Sequence, residues 1–276
     1  MPGRPEGSVG VIELEFDNAF QARHLAVPMS QAFFVAPRDD AGEAARRLRE
    51  NRYDQAPVLD GERTLGFVLT RHLTRAPIRR VADAMVPLGS GNVVSADASI
   101  GRLMEWILGP GFLFVLEGRD VTGFIAVSDF NKQPVRGYLY LLLARLEIGL
   151  ADLVRRRFPD QDDALDLVPP DGQSIVRERY DGDRAAGEES ELLAYFDFSD
   201  LVKVVTEDAE LRRTVSGQSR NGWSDYAGGL VRLRNDVMHP VRNAVLAKGG
   251  LIRLQGREQR IRSLIAKVEG ALKAAD

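Results

Sequence analysis

Apolar residues in the N-terminal half of the chain fall into short runs separated by polar turns, and the arrangement occurs twice. Residues 42–50 and 99–108 have the spacing of amphipathic helices, and each is followed by two short apolar runs around an acidic-Gly turn. The predicted strands cover residues 56–59 and 65–69 in the first copy, and residues 113–116 and 122–127 in the second. The pattern therefore predicts a β-α-β-β unit that is used twice.

One constant offset relates the two copies. Aligned positions lie 57 residues apart, as seen for Asp40 with Asp97, Val58 with Val115, and Gly66 with Gly123. Because no gap interrupts the alignment from helix to second strand, we interpret the half as an internal repeat of one fold.

The C-terminal half has a helical pattern. Residues 135–157 carry apolar side chains on nearly every face of the predicted helix, which is more than one packing surface would use. The excess fits either a core face plus a dimer face or complete burial inside one bundle. Residues 158–191 are polar and contain two adjacent prolines, so we predict a loop with a short helix over residues 174–180. Residues 251–274 have the periodicity of an amphipathic helix laid on the bundle or on a partner.

Length and pattern together predict three segments. We assign residues 1–29 to an N-terminal extension of a strand and a helix that packs on the repeats, and residues 30–133 to the repeat pair, with copies at about 30–75 and 88–133. Residues 134–276 form the helical domain. Only a short connector, Asn131 to Pro134, joins the two parts, and short links transmit geometry better than flexible ones.

Composition narrows the function classes. With 276 residues, 44% of them hydrophobic, the chain can bury a substantial core, and its lack of cysteine excludes disulfides, thiolate zinc sites and a thiol nucleophile. No apolar run approaches the ~20 residues of a membrane span and no signal-peptide pattern is present, so we expect a cytoplasmic protein without a membrane partner. The net charge of −3 means that nucleic-acid contacts need local clusters. Arg155-Arg156-Arg157 is either such a cluster or a solvated helix cap.

The segment RNDVMHP, residues 234–240, carries the candidate chemistry. It brings the guanidinium of Arg234, the amide of Asn235 and the imidazole of His239 within two helical turns. At about 100° per residue, Asn235 and His239 share a helix face, whereas Arg234 and His239 are about 140° apart. Pro240 disfavours the α conformation of the preceding residue, so we expect His239 in the last turn, where its ring can lean into a cleft. Two such helices facing each other would make a better site than one.

At these residues the chain resembles the HEPN family, whose active members carry R-x-x-x-x-H with a polar residue after the arginine. The resemblance covers roughly residues 134–248, including the long apolar helix and a second helix at 198–205 with the sequence FSDLVKVV. It implies a metal-independent endoribonuclease that works as a homodimer, with RNA as substrate and Arg234, Asn235 and His239 as catalytic residues. In that scheme the RNA 2′-hydroxyl attacks the phosphate, His239 moves the proton and Arg234 stabilises the charge. The products that the resemblance implies are a 2′,3′-cyclic phosphate and a 5′-hydroxyl.

The repeats resemble a pair of CBS (cystathionine β-synthase) domains. The family signature is an apolar-Pro-Val-apolar strand, an Asp/Gly turn and a G-h-h-T-x-x-D segment, where h is an apolar residue. The first copy supplies Ala56-Pro57-Val58-Leu59 and residues 66–72, and the second supplies Phe114-Val115-Leu116 and residues 123–129. The resemblance implies an adenine nucleotide (AMP, ADP or ATP) as a regulatory ligand in the cleft between the repeats.

The candidate nucleotide-binding residues are Asp129, Ser128 and Thr70. Asp129 holds the position at which the family's aspartate accepts hydrogen bonds from the ribose hydroxyls, and Ser128 precedes it. In the first copy His72 replaces that aspartate, although Thr70 offers a hydroxyl, and in the second copy Ala126 stands where the family often has one. We therefore expect one nucleotide site rather than two.

The remaining histidines have no catalytic context. His24 is expected on the surface or in a helix cap, and His72 at the end of a strand. Metal-ligand spacings and phosphate-loop motifs are lacking in the sequence, so neither a metal nor a nucleotide-hydrolysing core is indicated.

The predicted fold class is α+β, with an N-terminal tandem CBS pair followed by an all-α HEPN-like bundle. Two alternatives to the ribonuclease stay open. In one, the HEPN half is an inactive binding and dimerisation module in an adenine-nucleotide sensor. In the other, the chain is the toxin-like half of a defence or toxin–antitoxin pair, held silent by an inhibitory partner protein.

Overall fold

The computed structural model describes residues 17–75, 77–239 and 250–274, and divides them into two compact units. The first unit runs from Asp17 to Val135 and mixes helices with strands, whereas the second begins at Arg136 and is helical. The chain is thus a mixed α+β protein, as predicted. Most of the expected N-terminal extension, residues 1–16, lies outside the described residues, as does Pro240.

The first unit is built from short helices and strands. The helices are α1 (Ala22–Leu25), α2 (Ala41–Glu50), α3 (Thr70–Leu73), α4 (Val81–Ala84) and α5 (Ile100–Trp106). The strands are β1 (Val27–Pro28), β2 (Gln55–Asp60), β3 (Arg63–Leu69), β4 (Val86–Pro87), β5 (Val93–Ser95), β6 (Phe112–Glu117) and β7 (Asp120–Ala126). Short 3₁₀ turns cover Asp17–Ala19, Met29–Gln31 and Val127–Asn131. The two predicted helices and both predicted hairpins are present, which confirms the repeated unit.

The two repeats exchange strands. One sheet has the order β2-β3-β4 and the other β1-β7-β6-β5. The short strand β1, which precedes the first repeat, pairs with β7 of the second, while β4, which precedes the second repeat, pairs with β3 of the first. In the second sheet β5 runs parallel to β6, and Val35 makes the corresponding parallel bridge to Val58 in the first. Since each sheet needs both copies, the repeats form one folded unit.

The hairpins keep the predicted offset of 57 residues. Gly61 and Gly118 stand at equivalent points of the two turns with φ of 60° and 63°, a conformation that costs glycine nothing. Both hairpins also shift register at the same place, between Val58 and Leu59 in the first copy and 57 residues later in the second. The hairpin part of the repeat alignment is therefore confirmed.

Upstream of the hairpins the alignment changes, and the predicted pairing of Asp40 with Asp97 is wrong. Asp40 is the residue that precedes α2, and Ser99, 59 residues later, is the one that precedes α5. Asp40 and Ser99 also make equivalent isolated bridges, to Arg80 and to Gln21. The second copy reaches its hairpin two residues sooner because α5 has 7 residues where α2 has 10, while the loop that follows α5 is one residue longer.

The copies also begin earlier than predicted. The pair α1–β1 recurs 59 residues later as α4–β4, so the repeats start near residues 20 and 79 rather than 30 and 88. The segment predicted as an extension therefore supplies a strand of the second sheet. Elements of two to four residues are too short for hydrophobic periodicity to identify them.

Aromatic side chains join the two sheets. The rings of Phe67 from β3 and Phe112 from β6 stack with their centroids 4.9 Å apart. The ring of Phe124 from β7 also stacks on Phe112, with a centroid distance of 5.0 Å. Phe67 and Phe112 are fully buried. Burial of this aromatic surface, with the pairing of the rings, holds the repeats against each other.

The second unit is a bundle of seven helices among the described residues. They are α6 (Gln133–Arg157), α7 (Gln161–Leu165), α8 (Pro170–Ala185), α9 (Phe198–Glu207), α10 (Ala209–Val215), α11 (Arg220–Met238) and α12 (Gly250–Ala274). Three of these match the helices predicted at residues 135–157, 198–205 and 251–274. The chain passes from the 3₁₀ turn that ends at Asn131 into α6 within two residues, so the predicted connector is short.

The short helix predicted at residues 174–180 is present within α8, but the predicted loop around it is wrong, because α7 and the rest of α8 occupy much of residues 158–191. The two prolines that suggested a loop start a helix instead. Pro170 lies in the first turn of α8, where backbone N–H groups make no hydrogen bond within the helix, so the missing N–H of proline breaks none. Asp160 caps α7 by accepting a hydrogen bond from the N–H of Asp162. Leu165, Val168 and Val176 are buried and anchor the segment.

A buried polar cluster ties α6 to α12. The hydroxyl of Tyr138 donates to Glu258, and Arg262 donates both to that carboxylate and to the tyrosine oxygen at 2.7 Å. All three side chains are buried. Burial, followed by the charge of Glu258, raises the pKa of Tyr138 well above its usual range. Since every member has a partner, the charges inside the bundle are compensated.

Among the described residues, no helix combines the length and the low polarity that a bilayer crossing requires.

Candidate functional site

Helix α11 carries the candidate catalytic residues. Ser219 caps its first turn by accepting a hydrogen bond from the N–H of Gly222 at 3.2 Å. Its apolar face, with Trp223, Leu230 and Val237, is buried against the bundle. The helix ends at Met238, and His239 has left the α conformation, with φ −104° and ψ 91°. The sequence explains this end, since a residue that precedes proline is disfavoured in the α region.

The three predicted residues lie in different surroundings. Arg234 is half-buried and lines an open groove of about 460 Å³, together with the last turn of α11 and one face of α6. Asn235 and His239 are exposed and do not line this groove. Within one chain, then, α11 does not bring Arg234 and His239 into a common cleft, in keeping with the angular separation of the two positions.

The wall of the groove formed by α6 is largely apolar. Tyr140, Ala144, Ile148 and Ala151 follow one another at helical spacing along it. Tyr140 is 48% and Ile148 64% exposed, and across the groove Met238 is 45% exposed. Of the two alternatives for the apolar excess of this helix, complete burial is therefore wrong, because an uncovered apolar face exists.

Glu147 lies in the same groove and escapes detection in the sequence. Its burial raises the pKa of the carboxyl, the positive charge of Arg234 lowers it, and the nearby Asp197 raises it again. Arg234 and Glu147 are thus electrostatic neighbours although 87 positions separate them in the chain. No short sequence pattern predicts that two residues so far apart in the chain lie close together.

Arg136 holds the end of α11. It is buried, and its Nη1 donates to the carbonyl oxygens of Asp236 at 2.8 Å, Val237 at 3.3 Å and His239 at 3.2 Å. A guanidinium at this place satisfies carbonyls that have no partner within the helix and complements the negative end of the helix dipole. Arg136 therefore fixes the backbone from which His239 extends. The sequence shows that a charge in the first turn of a strongly apolar helix needs a partner, but it does not identify the end of α11 as that partner.

Two of the three predicted nucleotide-binding residues are engaged inside the first unit. Asp129 is buried, and its carboxylate accepts a hydrogen bond from the N–H of Ala126 at 2.7 Å and pairs with Lys132 at 2.9 Å. Thr70 is also buried, and its hydroxyl donates to the carbonyl of Tyr53 at 2.8 Å. Only Ser128 is exposed. Both engaged residues stand where a strand turns into a helical segment, and Asp129 caps the turn that follows, whereas Thr70 ties its own helical turn to the segment before β2.

The other histidines have local roles. His24 is exposed, and its Nδ1 accepts a hydrogen bond from the N–H of Gln21 at 3.1 Å, which confirms the predicted cap role. His72 lies in α3 rather than at a strand end. Burial, followed by the charges of Arg75 and Arg71, lowers the pKa of its imidazole.

The triplet Arg155-Arg156-Arg157 lies in the last turn of α6. Arg155 pairs with Glu191 and Asp152, and Arg156 donates to the carbonyl of Leu272 at 2.6 Å. Arg157 pairs with Asp208 at 3.1 Å. These contacts tie the last turn of α6 to Glu191, α10 and α12, and the choice between an RNA-binding cluster and a helix cap stays a prediction. The described residues contain no group of three or more His, Asp or Glu side chains arranged to hold a metal ion.

Comparison with known proteins bears on the first unit. A family profile for the CBS domain matches residues 23–79, and no curated protein matches the chain significantly. The CBS-pair protein CBSX2 from Arabidopsis thaliana is 18% identical over 44% of this chain and 96% of its own, with a TM-score of 0.37. The structure of CBSX2 in complex with AMP is 19% identical over 44% of this chain and 98% of its own, with a TM-score of 0.37.

The CBS domain of a bacterial CNNM/CorC family Mg²⁺ transporter in complex with ATP is 16% identical over 41% of this chain and 86% of its own, with a TM-score of 0.36. Scores this low carry no argument about the fold or ligands of this chain. The profile match, in contrast, coincides with the first structural repeat, which starts at α1 and ends before α4. It does not extend to the helical unit, for which the HEPN resemblance stays a prediction. The first unit thus contains a CBS domain at residues 23–79.

Proposed function

We propose that this protein is a metal-independent endoribonuclease that works as a homodimer, with Arg234, Asn235 and His239 at the reacting phosphate. The observation that carries the proposal is the end of α11. The helix stops at Met238, which leaves His239 exposed at its tip, while Arg234 faces an open groove one turn earlier. Both groups are accessible to a ligand, and RNA as that ligand follows from the resemblance of the segment to HEPN domains.

A second copy of the chain completes the site in this proposal. Because Arg234 and His239 of one chain do not share a cleft, the two groups are brought to one phosphate from different protomers. The exposed apolar side chains Tyr140, Ile148 and Met238 border the Arg234 groove and supply the contact surface. Covering such a patch removes apolar area from water, which favours association.

The proposed chemistry uses only side chains and the RNA itself. The 2′-hydroxyl attacks the adjacent phosphorus, and His239 of one protomer takes its proton while the partner's imidazole protonates the leaving 5′-oxygen. Positioned proton transfer of this kind contributes about 10²–10⁴ in rate. Arg234 and the amide of Asn235 donate hydrogen bonds to the phosphate oxygens as charge develops on them. Arg136 keeps the backbone of His239 in place, and the negative charge of Glu147 favours the guanidinium of Arg234 in the groove.

A chemically resolved cleavage assay tests this proposal. Purified wild type, Arg234→Lys and His239→Ala are incubated with RNA in EDTA, and the product ends are identified by mass spectrometry. We expect 2′,3′-cyclic phosphates and 5′-hydroxyls from the wild type, and a loss of at least about 10²-fold in rate for each variant, since one proton-transfer or charge-stabilising group is removed. The matched controls are His24→Gln and Arg213→Lys, which change exposed residues of the same types elsewhere. Products with 3′-hydroxyls, or equal rates for His239→Ala and wild type, contradict the proposal.

The dimer has its own test. Ile148→Glu places a charge on the uncovered face of α6, and we expect it to convert a dimer to a monomer in sedimentation and to abolish cleavage. Ile175→Glu is the matched control, because Ile175 is an exposed isoleucine of the same unit outside the groove. A wild-type chain that is monomeric yet active would refute the shared site.

A second function is favoured by the separation of Arg234 and His239, together with the CBS match at residues 23–79. In it the helical unit is an inactive dimerisation module, and the protein is an adenine-nucleotide-sensing regulator. Binding of AMP, ADP or ATP by calorimetry, with no RNA cleavage by the wild type, selects this function.

Regulation by an adenine nucleotide is compatible with both functions. The support is the CBS domain itself and the exposed hydroxyl of Ser128 next to Asp129. Ser128→Ala is expected to weaken binding of the nucleotide without altering the unliganded protein, whereas unchanged affinity would remove Ser128 from the site.

A further inference from the structure

A second groove lies between α11 and α12 and is lined by four arginines. Arg232 comes from α11, and Arg253, Arg257 and Arg260 come from α12. Asp225 is the single carboxylate among the lining residues, and the groove encloses about 540 Å³. In a chain whose net charge is −3, this is a marked local concentration of positive charge.

Three of the four arginines in the groove are not matched by a carboxylate of the described residues. Arg232, Arg257 and Arg260 form no ion pair with any carboxylate in the part of the chain that the structure describes. Burial lowers the pKa of the Arg257 guanidinium, and the charges of Arg253, Arg232 and Arg260 lower it further, while Asp236 opposes them. Repulsion between positive charges this close together destabilises the unliganded groove, and a bound anionic ligand reduces this repulsion.

The groove is open along its floor. Gly229 of α11 and Gly256 of α12 line it, and a Cβ atom built on either one meets nothing within 4 Å. These glycines are therefore not needed for close helix packing. Their effect is to leave a channel between Arg232 on α11 and the three arginines of α12.

Aromatic and apolar groups accompany the charges. The guanidinium of Arg260 lies over the ring of Tyr226, 5.6 Å from its centroid. The ring of Trp223 also stacks with that of Tyr226, with the two centroids 5.8 Å apart. Burial raises the pKa of Tyr226 to about 12, so the phenol is neutral at physiological pH and offsets none of the positive charge. Ile252 is 72% exposed at the rim. Arginine planes, an aromatic ring and an exposed apolar side chain are the groups on which unpaired bases stack.

We propose that this arginine groove binds single-stranded RNA, with the arginines on successive phosphates and a base against the Tyr226–Arg260 pair. The choice of RNA as ligand rests on the proposed function, whereas the anion site itself rests on the cluster. The position on α11 agrees with it. Arg232 and Asn235 are three residues apart and lie on the same side of the helix, so the groove leads towards the exposed Asn235 and His239 at its end.

Equilibrium binding to an RNA that cannot be cleaved separates this inference from the ribonuclease proposal. Fluorescence anisotropy is measured with a labelled 2′-O-methyl 12-mer at several salt concentrations, with the wild type, His239→Ala and the double variant Arg232→Gln/Arg257→Gln. We expect the double variant to bind at least about 10-fold more weakly and to lose about 1.4 from the slope of log K against log salt, at ~0.7 for each phosphate contact to a single strand. His239→Ala is expected to bind like the wild type.

Two further variants control for charge and fold. Lys203→Gln/Arg213→Gln removes the same charge from exposed positions of the helical unit outside the groove, and its affinity should stay within about 2-fold of wild type. Gly256→Leu places a Cβ where nothing lies within 4 Å and extends an apolar side chain into the channel, so we expect weaker binding together with an unchanged or higher melting temperature.

Distinct outcomes decide between the two proposals. Loss of binding in the groove variants without any wild-type cleavage upholds the groove and refutes the ribonuclease. Wild-type cleavage with unchanged binding in the groove variants does the reverse. Equal binding of the RNA and of a poly-glutamate peptide of the same charge would show a general polyanion site and overturn the assignment to RNA.

Discussion

Removal of the guanidinium that caps α11 should weaken the helical unit and misplace His239. Arg136→Met keeps most of the buried aliphatic stem but leaves the carbonyls of Asp236, Val237 and His239 without this donor. The hydrogen bond at 2.8 Å involves a charged donor and contributes about 1.5–3 kcal/mol, and the two longer ones contribute less. The favourable position at the negative end of the helix adds about 0.3–1 kcal/mol. Removing a buried charge from a partly apolar site returns some of this energy, so we expect a net loss of about 2–3 kcal/mol.

The chain offers a convenient reporter for this change. It has two tryptophans, Trp106 in the first unit and the fully buried Trp223 in α11. In a Trp106→Phe background, the fluorescence of Trp223 follows unfolding of the helical unit alone. Urea titrations of Arg136→Met in this background should give a lower midpoint at an unchanged slope.

The matched control lies at the other end of the same helix. Arg220→Met removes an exposed arginine that pairs with Glu207, and an exposed pair of this kind has little effect on the urea midpoint. If Arg136→Met unfolds at the same urea concentration as wild type, the cap does not hold the end of α11. If its midpoint falls but RNA cleavage by the folded protein is unchanged, the cap does not position His239.

Three other changes test separate parts of the account. Gly66→Ala should destabilise the first unit by about 1–3 kcal/mol, because its Cβ would lie 2.1 Å from the carbonyl oxygen of Val86 on the exchanged strand, whereas Gly91→Ala, in open space, should not; thermal unfolding measures both. Glu147→Gln should be more stable than wild type at pH 8 and lose this advantage towards pH 4.5. Because the pKa of Glu147 is higher in the folded than in the unfolded protein, the wild type loses stability as the pH rises above the unfolded-state pKa. A difference in stability between Glu147→Gln and wild type that does not change with pH would refute this prediction. Tyr138→Phe should cost about 1–2 kcal/mol in urea unfolding, since it leaves Glu258 and Arg262 one hydrogen bond short; a variant as stable as wild type would show that the cluster does not need the hydroxyl.

The longer elements of the fold were predictable from the sequence because their periodicity spans enough residues. The hairpins, with Gly61 and Gly118 at equivalent turns, and the helix over residues 198–205 are of this kind. The strands β1 and β4 have two residues each and carry no periodicity, so the exchange between sheets was not predictable. The start of α8 was missed because a proline pair is compatible both with a loop and with the first turn of a helix.

The site was predictable only where its residues are neighbours in sequence. The segment around Arg234 and His239 is continuous, so its motif could be read directly. Glu147 and Arg136 act on α11 across about 90 to 100 positions, and no short pattern contains such a relation. At Asp129 the sequence is ambiguous, since the position that suggests a ribose contact is also one from which a carboxylate caps the next turn, and the ribose contact stays a prediction.

The most direct test of the central claim is the rate at which purified wild-type protein cleaves total cellular RNA in the presence of EDTA, measured beside His239→Ala. The account predicts cleavage by the wild type and a rate at least about 10²-fold lower for the variant. Intact RNA with both proteins, or equal cleavage by both, would contradict it and return Arg234 and His239 to a structural role.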